Sequence, residues 1–379
     1  MILQSKRVWV LNEWLEAQVE IADGKITGIY PYGTYAADED FGERRIVPGF
    51  IDVHTHGAYG FDTNDAEQEG LRNWLKNIVS EGVTGLLPTT ITQSEEVLTK
   101  ALRNVANVVR EGYEGARILG IHFEGPYLDQ KYKGAQPEQY CVAPDVEQFK
   151  RYLAASEGLI RIVTMACEHD EGYALTRFLC ENGIVPSLGH SSATFAQAAM
   201  AFSNGARSVT HVYNGMAPYH HREPGIVGAS FRFRNVFGEI ICDGLHSTWA
   251  ALNTYFAAKG PDYGVMITDS LKVKGLPAGT RTLFGGNMIE LFEDGSAHLV
   301  GAGNLAGSTL KVNQGLRNLV EKAGLPWQTA INACTINPAR LIGMEASKGS
   351  ITAGKDADLV VLGDDYSVEA TYVCGERCY

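Results

Sequence analysis

The chain has 379 residues, of which 45% are hydrophobic and 20% charged, an ordinary globular composition that excludes disordered and fibrous classes. That length exceeds one small core and suits a barrel of roughly 250 to 300 residues with an accessory domain. Lys and Arg number 32 against 44 Asp and Glu; the formal net charge of -12 opposes nucleic-acid binding and requires local cations for any phosphorylated ligand.

Met1-Ile2-Leu3-Gln4-Ser5-Lys6-Arg7 has no apolar run ahead of a small-residue cleavage site, so no signal peptide is expected. Nor does any stretch approach the ~20 apolar residues that span a bilayer. The seven cysteines are odd in number and sit mostly in apolar or helical runs. They read as buried free thiols in a reducing cytoplasm, with Cys374 and Cys378 the one pair close enough to suggest a bond.

The first 45 residues alternate apolar and polar. Residues 7–10, 17–21 and 26–29 are predicted strands, and 22–25 is a hairpin turn. The last segment has the same texture at 349–351, 357–362 and 370–373. The two ends are expected to pair into one small β-sandwich, comprising residues 1–47 and 346–379. Between them, short apolar strands ending in polar residues recur at 46–54, 83–90, 118–124, 160–168, 184–190, 208–214, 237–243 and 265–269. Helical patterns such as 70–79 lie between most of them. This βα rhythm predicts an α/β (β/α)8 TIM barrel over 48–345. A hairpin is expected after the eighth strand, with 287–291 and 297–300 flanking a turn at 293–296.

In such a barrel the active site lies at the C-terminal ends of the strands. This chain places His54 and His56, Glu124, His190, His211 and Asp269 there. His54 and His56 are two apart on a strand, so both imidazoles face one side and can reach one ion. Alone, each residue has an ordinary reading: His190 as a loop histidine, Glu124 as a buried ion-pair partner, His211 as a core histidine, Asp269 as a helix cap. Together they read as a divalent-metal site, and imidazole with carboxylate suits Zn²⁺ or Fe²⁺. His122 reads as a support for the site. Asp269, alone at the last strand's end, is the candidate general base.

Several segments resemble the amidohydrolase superfamily and, within it, the amino-sugar-phosphate deacetylases. They are Val47-Pro48-Gly49-Phe50-Ile51-Asp52-Val53-His54-Thr55-His56-Gly57, His122-Phe123-Glu124-Gly125-Pro126, Gly189-His190-Ser191, Thr210-His211-Val212-Tyr213-Asn214, Arg222-Glu223-Pro224-Gly225, Asp243-Gly244-Leu245-His246, Thr268-Asp269, Leu305-Ala306-Gly307-Ser308 and Gly354-Lys355-Asp356-Ala357-Asp358-Leu359-Val360. The resemblance implies hydrolysis of the acetamide of N-acetyl-D-glucosamine 6-phosphate in a cytoplasmic homodimer. It implies one metal on Glu124, His190 and His211, and room for a second on His54 and His56 with Glu124 bridging. Asp269 would be general base and then general acid. His246 and Arg222 would hold the phosphate, with Arg222 reaching the neighbouring subunit's ligand. Asn214 and Gly215 would line the sugar, and Leu305, Ala306 and Gly307 would close over it.

One stretch departs from that pattern. Lys133-Gly134-Ala135-Gln136 stands where the family usually carries Gly-Ala-His, a histidine implied to contact the acyl carbonyl. Gln136 still donates through its amide and is expected to help the metal stabilise the oxyanion, but it carries no charge. The rival readings are the galacto epimer as substrate, another cyclic-amide hydrolase or deaminase, and a non-catalytic sugar-phosphate sensor.

Overall fold

A computed structural model describes residues 1–379 as an α/β fold. Six strands lie side by side in one curled parallel sheet: Ile121–Glu124, Ile160–Met165, Val185–Leu188, Ser208–Val209, Phe237–Ile241 and Gly264–Ile267. Helices such as Val146–Ala155, Ala174–Glu181, Phe195–Ser203 and Trp249–Lys259 connect them. Phe50–Thr55 and Val83–Pro88 pair in a second parallel sheet with the short Arg117–Ile118. Nearly every strand residue is buried, as expected where helices cover a parallel sheet. Backbone hydrogen bonds cross between the sheets, among them Thr90 N–H to His122 O at 3.1 Å and Asp269 N–H to His54 O at 2.9 Å.

Helix starts follow local chemistry. Thr194 caps Phe195–Ser203 through a reciprocal box with Gln197, and Thr248 and Ser94 accept from Ala251 N–H and Val97 N–H at their own helices. No helix is long and apolar enough to cross a membrane.

The chain's two ends meet in one mixed sheet. Ile2–Val10, Glu13–Ala22 and Lys25–Pro31 form an antiparallel meander, and Arg45–Pro48 lies parallel beside the first of them. Leu359–Leu362 then pairs antiparallel with Arg45–Pro48, placing Val360 opposite Val47, and Val368–Val373 extends the edge. Leu3, Val19, Ile26, Ile46, Leu359 and Tyr372 are among the residues of a separate apolar core here.

Several sequence expectations change. The single strand expected over 118–124 is two: Arg117–Ile118 pairs with Val83–Pro88, and Ile121–Glu124 opens the six-stranded sheet. The single strand expected over 46–54 is two: Arg45–Pro48 belongs to the terminal sheet, Phe50–Thr55 to the parallel one, and Gly49 at the break donates its N–H to Asp358 O. The strand expected over 208–214 stops at Val209, because His211 and Tyr213 leave extended geometry with φ of 28° and 80°. Residues 349–351 are not a strand; Gly349 turns at φ 82° and delivers Ile351 to the terminal core. The inserted hairpin is a three-stranded sheet, Arg281–Phe284, Asn287–Leu291 and Ala297–Leu299. Its first turn is Gly285-Gly286, with φ of 58° and 92°, the left-handed pair a two-residue hairpin requires. All seven cysteines are free, so Cys374 and Cys378 are not bonded.

Candidate active site

The polar residues expected at strand ends meet in one place. Glu124 and Asp269 come from the third and last parallel strands and approach the imidazoles of His54, His56, His190 and His211. Three of these residues have left-handed backbone: His190 at φ 47°, His211 at 28° and Asp269 at 50°. Such geometry costs a non-glycine residue of order 1–3 kcal/mol and persists where surrounding structure imposes it. It is imposed here by ladder bonds leaving the strands, such as Asp269 N–H to His54 O and Ser308 N–H to Asp269 O. Gly307 lies against that carbonyl: a Cβ there would sit 2.7 Å from Asp269 O.

The histidine tautomers follow from their outer partners. His190 Nδ1 lies 2.8 Å from Tyr132 O, and His211 Nδ1 lies 3.0 Å from Asn214 O. A carbonyl only accepts, so each Nδ1 carries the hydrogen and, in the neutral ring, each Nε2 presents a bare lone pair. Those two Nε2 atoms are 3.1 Å apart, and each is 3.2 Å from Glu124 Oε1. Three acceptors thus face one another with no hydrogen between them, an arrangement that calls for a cation. Their edges are close to the ~3.3 Å expected between ligands around a tetrahedral ion with bonds of about 2.0–2.1 Å.

His54, His56 and Asp269 form a second group beside the first. His54 Nδ1 is 2.9 Å from Glu239 Oε2, which fixes its hydrogen there and leaves Nε2 buried without a hydrogen-bond partner. His56 Nε2 lies 3.1 Å from Asp269 Oδ1 and 3.4 Å from Glu124 Oε2. The potential is strongly negative. Burial alone disfavours charge on His54 and His56, yet Glu124 and Asp269 outweigh it and hold them at about 9 and 10. Burial likewise opposes ionisation of Asp269 and Glu124, but the surrounding imidazoles keep both below the usual carboxylate range. His122 stands apart. Its nitrogens bond Val53 O at 3.0 Å and Thr164 Oγ1 at 2.7 Å, and burial keeps it neutral, so it supports the floor and offers no free ligand atom.

Above these groups is a small cavity of about 160 Å³. His56, Glu124, Ala135, Gln136, His190, His211, Asn214, Gly215, His246, Asp269, Leu305 and Gly307 line it, as do Gly134 and Phe284. A larger groove of about 890 Å³ lies elsewhere, beside Arg207, Tyr263 and Arg340 near the strands' N-terminal ends, and holds no such convergence of ligands. His246 presents a polar edge to the small cavity. Burial opposes its charge, but Asp243, 2.7 Å from Nδ1, raises its pKa above the ordinary histidine value. Three expected site residues do not line the cavity. His54 is wholly buried, Ala306 belongs to the buried apolar cluster that includes Leu271 and Phe284, and Arg222 is exposed on a loop of its own chain.

The amidohydrolase family pattern matches residues 45–378. The chain belongs to the amidohydrolase family. As an amidohydrolase it is 39% identical to N-acetylglucosamine-6-phosphate deacetylase of Bacillus subtilis strain 168, over 95% of this chain and 92% of that one. It is 34% identical to N-acetylgalactosamine-6-phosphate deacetylase of Escherichia coli O157:H7, over 99% and 98%. A solved Mycobacterium smegmatis structure, a variant N-acetyl-D-glucosamine-6-phosphate deacetylase in complex with N-acetyl-D-glucosamine-6-phosphate, superposes with a TM-score of 0.95 at 32% identity, covering 100% of this chain and 99% of that one.

Two residues of this amidohydrolase site escape sequence reasoning. Glu239 holds His54, and its signal is a lone charge inside the fully buried strand Phe237–Ile241. Phe284 packs its ring edge-on at 5.1 Å from His56, but its strand is hidden in sequence by the Gly285-Gly286 turn that follows.

Proposed function

We propose that this protein hydrolyses the acetamide of N-acetyl-D-glucosamine 6-phosphate to D-glucosamine 6-phosphate and acetate. The observation that carries this is the convergence of Glu124, His190 and His211 with Asp269 at one small polar cavity, in a chain 34–39% identical to curated amino-sugar-phosphate deacetylases over nearly its full length. The galacto epimer is the second reading, supported by the relative that acts on it.

Glu124, His190 and His211 would hold one divalent ion, Zn²⁺ or Fe²⁺, and His54, His56 and Asp269 have the donor set for a second beside it. Such an ion polarises a carbonyl and lowers the pKa of water from about 15.7 toward about 7. Asp269, kept ionised, takes the proton from the water that adds to the acetyl carbon. As the C–N bond breaks, Asp269 returns that proton to the leaving amine. Ala135, Asn214, Gly215 and the turn Leu305, Ala306 and Gly307 would line the sugar, and His246 would help to hold its 6-phosphate. Arg222, exposed in its own chain, would reach the 6-phosphate of a neighbouring subunit in a cytoplasmic homodimer.

The finer architecture belongs to the same proposal. The inter-sheet bonds Asp269 to His54 and Thr90 to His122 support closure of the parallel strands into a (β/α)8 barrel over 48–345. The terminal segments, 1–47 and 346–379, would fold on themselves as a β-sandwich around their own core.

The test is acetate release from the 6-phosphates of N-acetylglucosamine and N-acetylgalactosamine, side by side on metal-loaded protein. The proposal expects the gluco substrate to be preferred in kcat/KM; a galacto preference promotes the second reading, and no release from either rejects both. In the same assay Arg222→Ala is expected to raise KM for the phosphorylated sugar at least tenfold. The unphosphorylated sugar should change by less than about twofold, because an arginine–phosphate fork is lost. Equal losses on both would remove Arg222 from the phosphate.

A further inference from the structure

The loop from Asp129 to Gln136 reaches two members of the Glu124–His190–His211 group at once. Tyr132 O orients His190 through Nδ1, and Gln136 Nε2 donates to Glu124 Oε2 at 2.6 Å. Gln136 is 3% exposed, and its Oε1 accepts the Thr92 backbone N–H at 2.7 Å. A backbone N–H only donates, so the oxygen end of the amide is fixed on Thr92 and the NH₂ end must face Glu124; the flipped amide satisfies neither contact. The loop is itself tied down, with Asn287 Nδ2 donating to Ala135 O at 2.9 Å and Lys133 Nζ to Gln136 O at 3.3 Å.

The consequence falls on the carboxylate. Glu124 must present Oε1 to His190 and His211, and a carboxylate free to rotate would do so only part of the time. Gln136 holds Oε2 and so sets the angle of Oε1. It does this with a neutral group that leaves the full negative charge on Glu124.

We propose that Gln136 is a positioning residue, one that sets the metal affinity of the Glu124–His190–His211 centre by orienting Glu124. This rests on the metal reading above. One amide N–H of Gln136 is left over from these contacts and is all that it can offer a ligand, so the two uses can be separated by experiment.

Gln136→Leu and Gln136→Met keep the bulk and remove the donor. The full-length proteins are stripped of metal, and Zn²⁺ affinity is measured by competition with a chelator of known strength. Thermal unfolding at saturating Zn²⁺ identifies which variant is folded. Removing an outer hydrogen bond to a metal ligand typically weakens affinity 10–100-fold. That loss is expected in the folded variants, with the absorption bands of the Co²⁺-substituted proteins shifted. Zn²⁺ affinity within threefold of wild type overturns the proposal, and a raised KM alongside it reassigns Gln136 to the substrate. If wild type itself binds no Zn²⁺ at the chelator's reach, the metal reading fails, and this proposal with it.

Discussion

Asp269→Asn is expected to lower kcat by about 10³-fold, equivalent to about 4 kcal/mol of barrier, while the first metal stays bound. The aspartate's Oδ1 lies 3.1 Å from His56 Nε2 and 3.6 Å from His54 Nε2, against the cavity but outside the Glu124–His190–His211 triangle. Its neighbours keep it ionised despite burial, so near neutral pH it is ready to accept a proton. Asparagine preserves shape and one oxygen but cannot take that proton. Metal content by elemental analysis and kcat on the same sample form the check. Turnover within tenfold of wild type would place the base elsewhere.

Glu124→Gln should act on the metal first. Glu124 is the single group within 3.5 Å of four imidazoles, His54, His56, His190 and His211. Replacing its charge leaves a neutral amide among lone pairs and weakens cation binding through both of its oxygens. Metal retained after dialysis should fall to less than about a tenth of the wild-type content, and kcat at ambient metal should fall at least 10²-fold, since the reaction needs the ion. Excess Zn²⁺ should restore part of the rate. Full metal retention by the variant would mean that the histidines alone hold the ion.

The strand ends were legible because the pattern is local: an apolar run, then a His, Glu or Asp, repeated with helices between. That pattern locates His54, Glu124, His190, His211 and Asp269 without any knowledge of closure. Backbone strain is not local in this sense. The left-handed φ values of His190, His211 and Asp269 come from neighbouring strands, and no residue preference announces them. Glu239 is not legible in sequence, because its meaning depends on His54, which lies 185 residues away. Phe284 is equally hidden, because a paired glycine turn follows a strand of four residues. The donor chemistry of Gln136 is visible in sequence, whereas the Thr92 N–H that fixes its orientation is not.

Arg222 illustrates the opposite limit. Its charge, next to His220 and His221 on an acidic chain, suggests an anion site, yet within one chain it remains exposed and outside the cavity. Composition can propose the chemistry of such a residue, but its partner depends on assembly.

The most direct measurement is metal reconstitution. Protein stripped of metal by chelation is titrated with Zn²⁺ while acetate release from N-acetyl-D-glucosamine 6-phosphate is followed. The geometry of Glu124, His190 and His211 predicts negligible turnover at the start and a rate that rises in proportion to bound metal, saturating at one or two ions per chain. Undiminished acetate release from the stripped protein would contradict it.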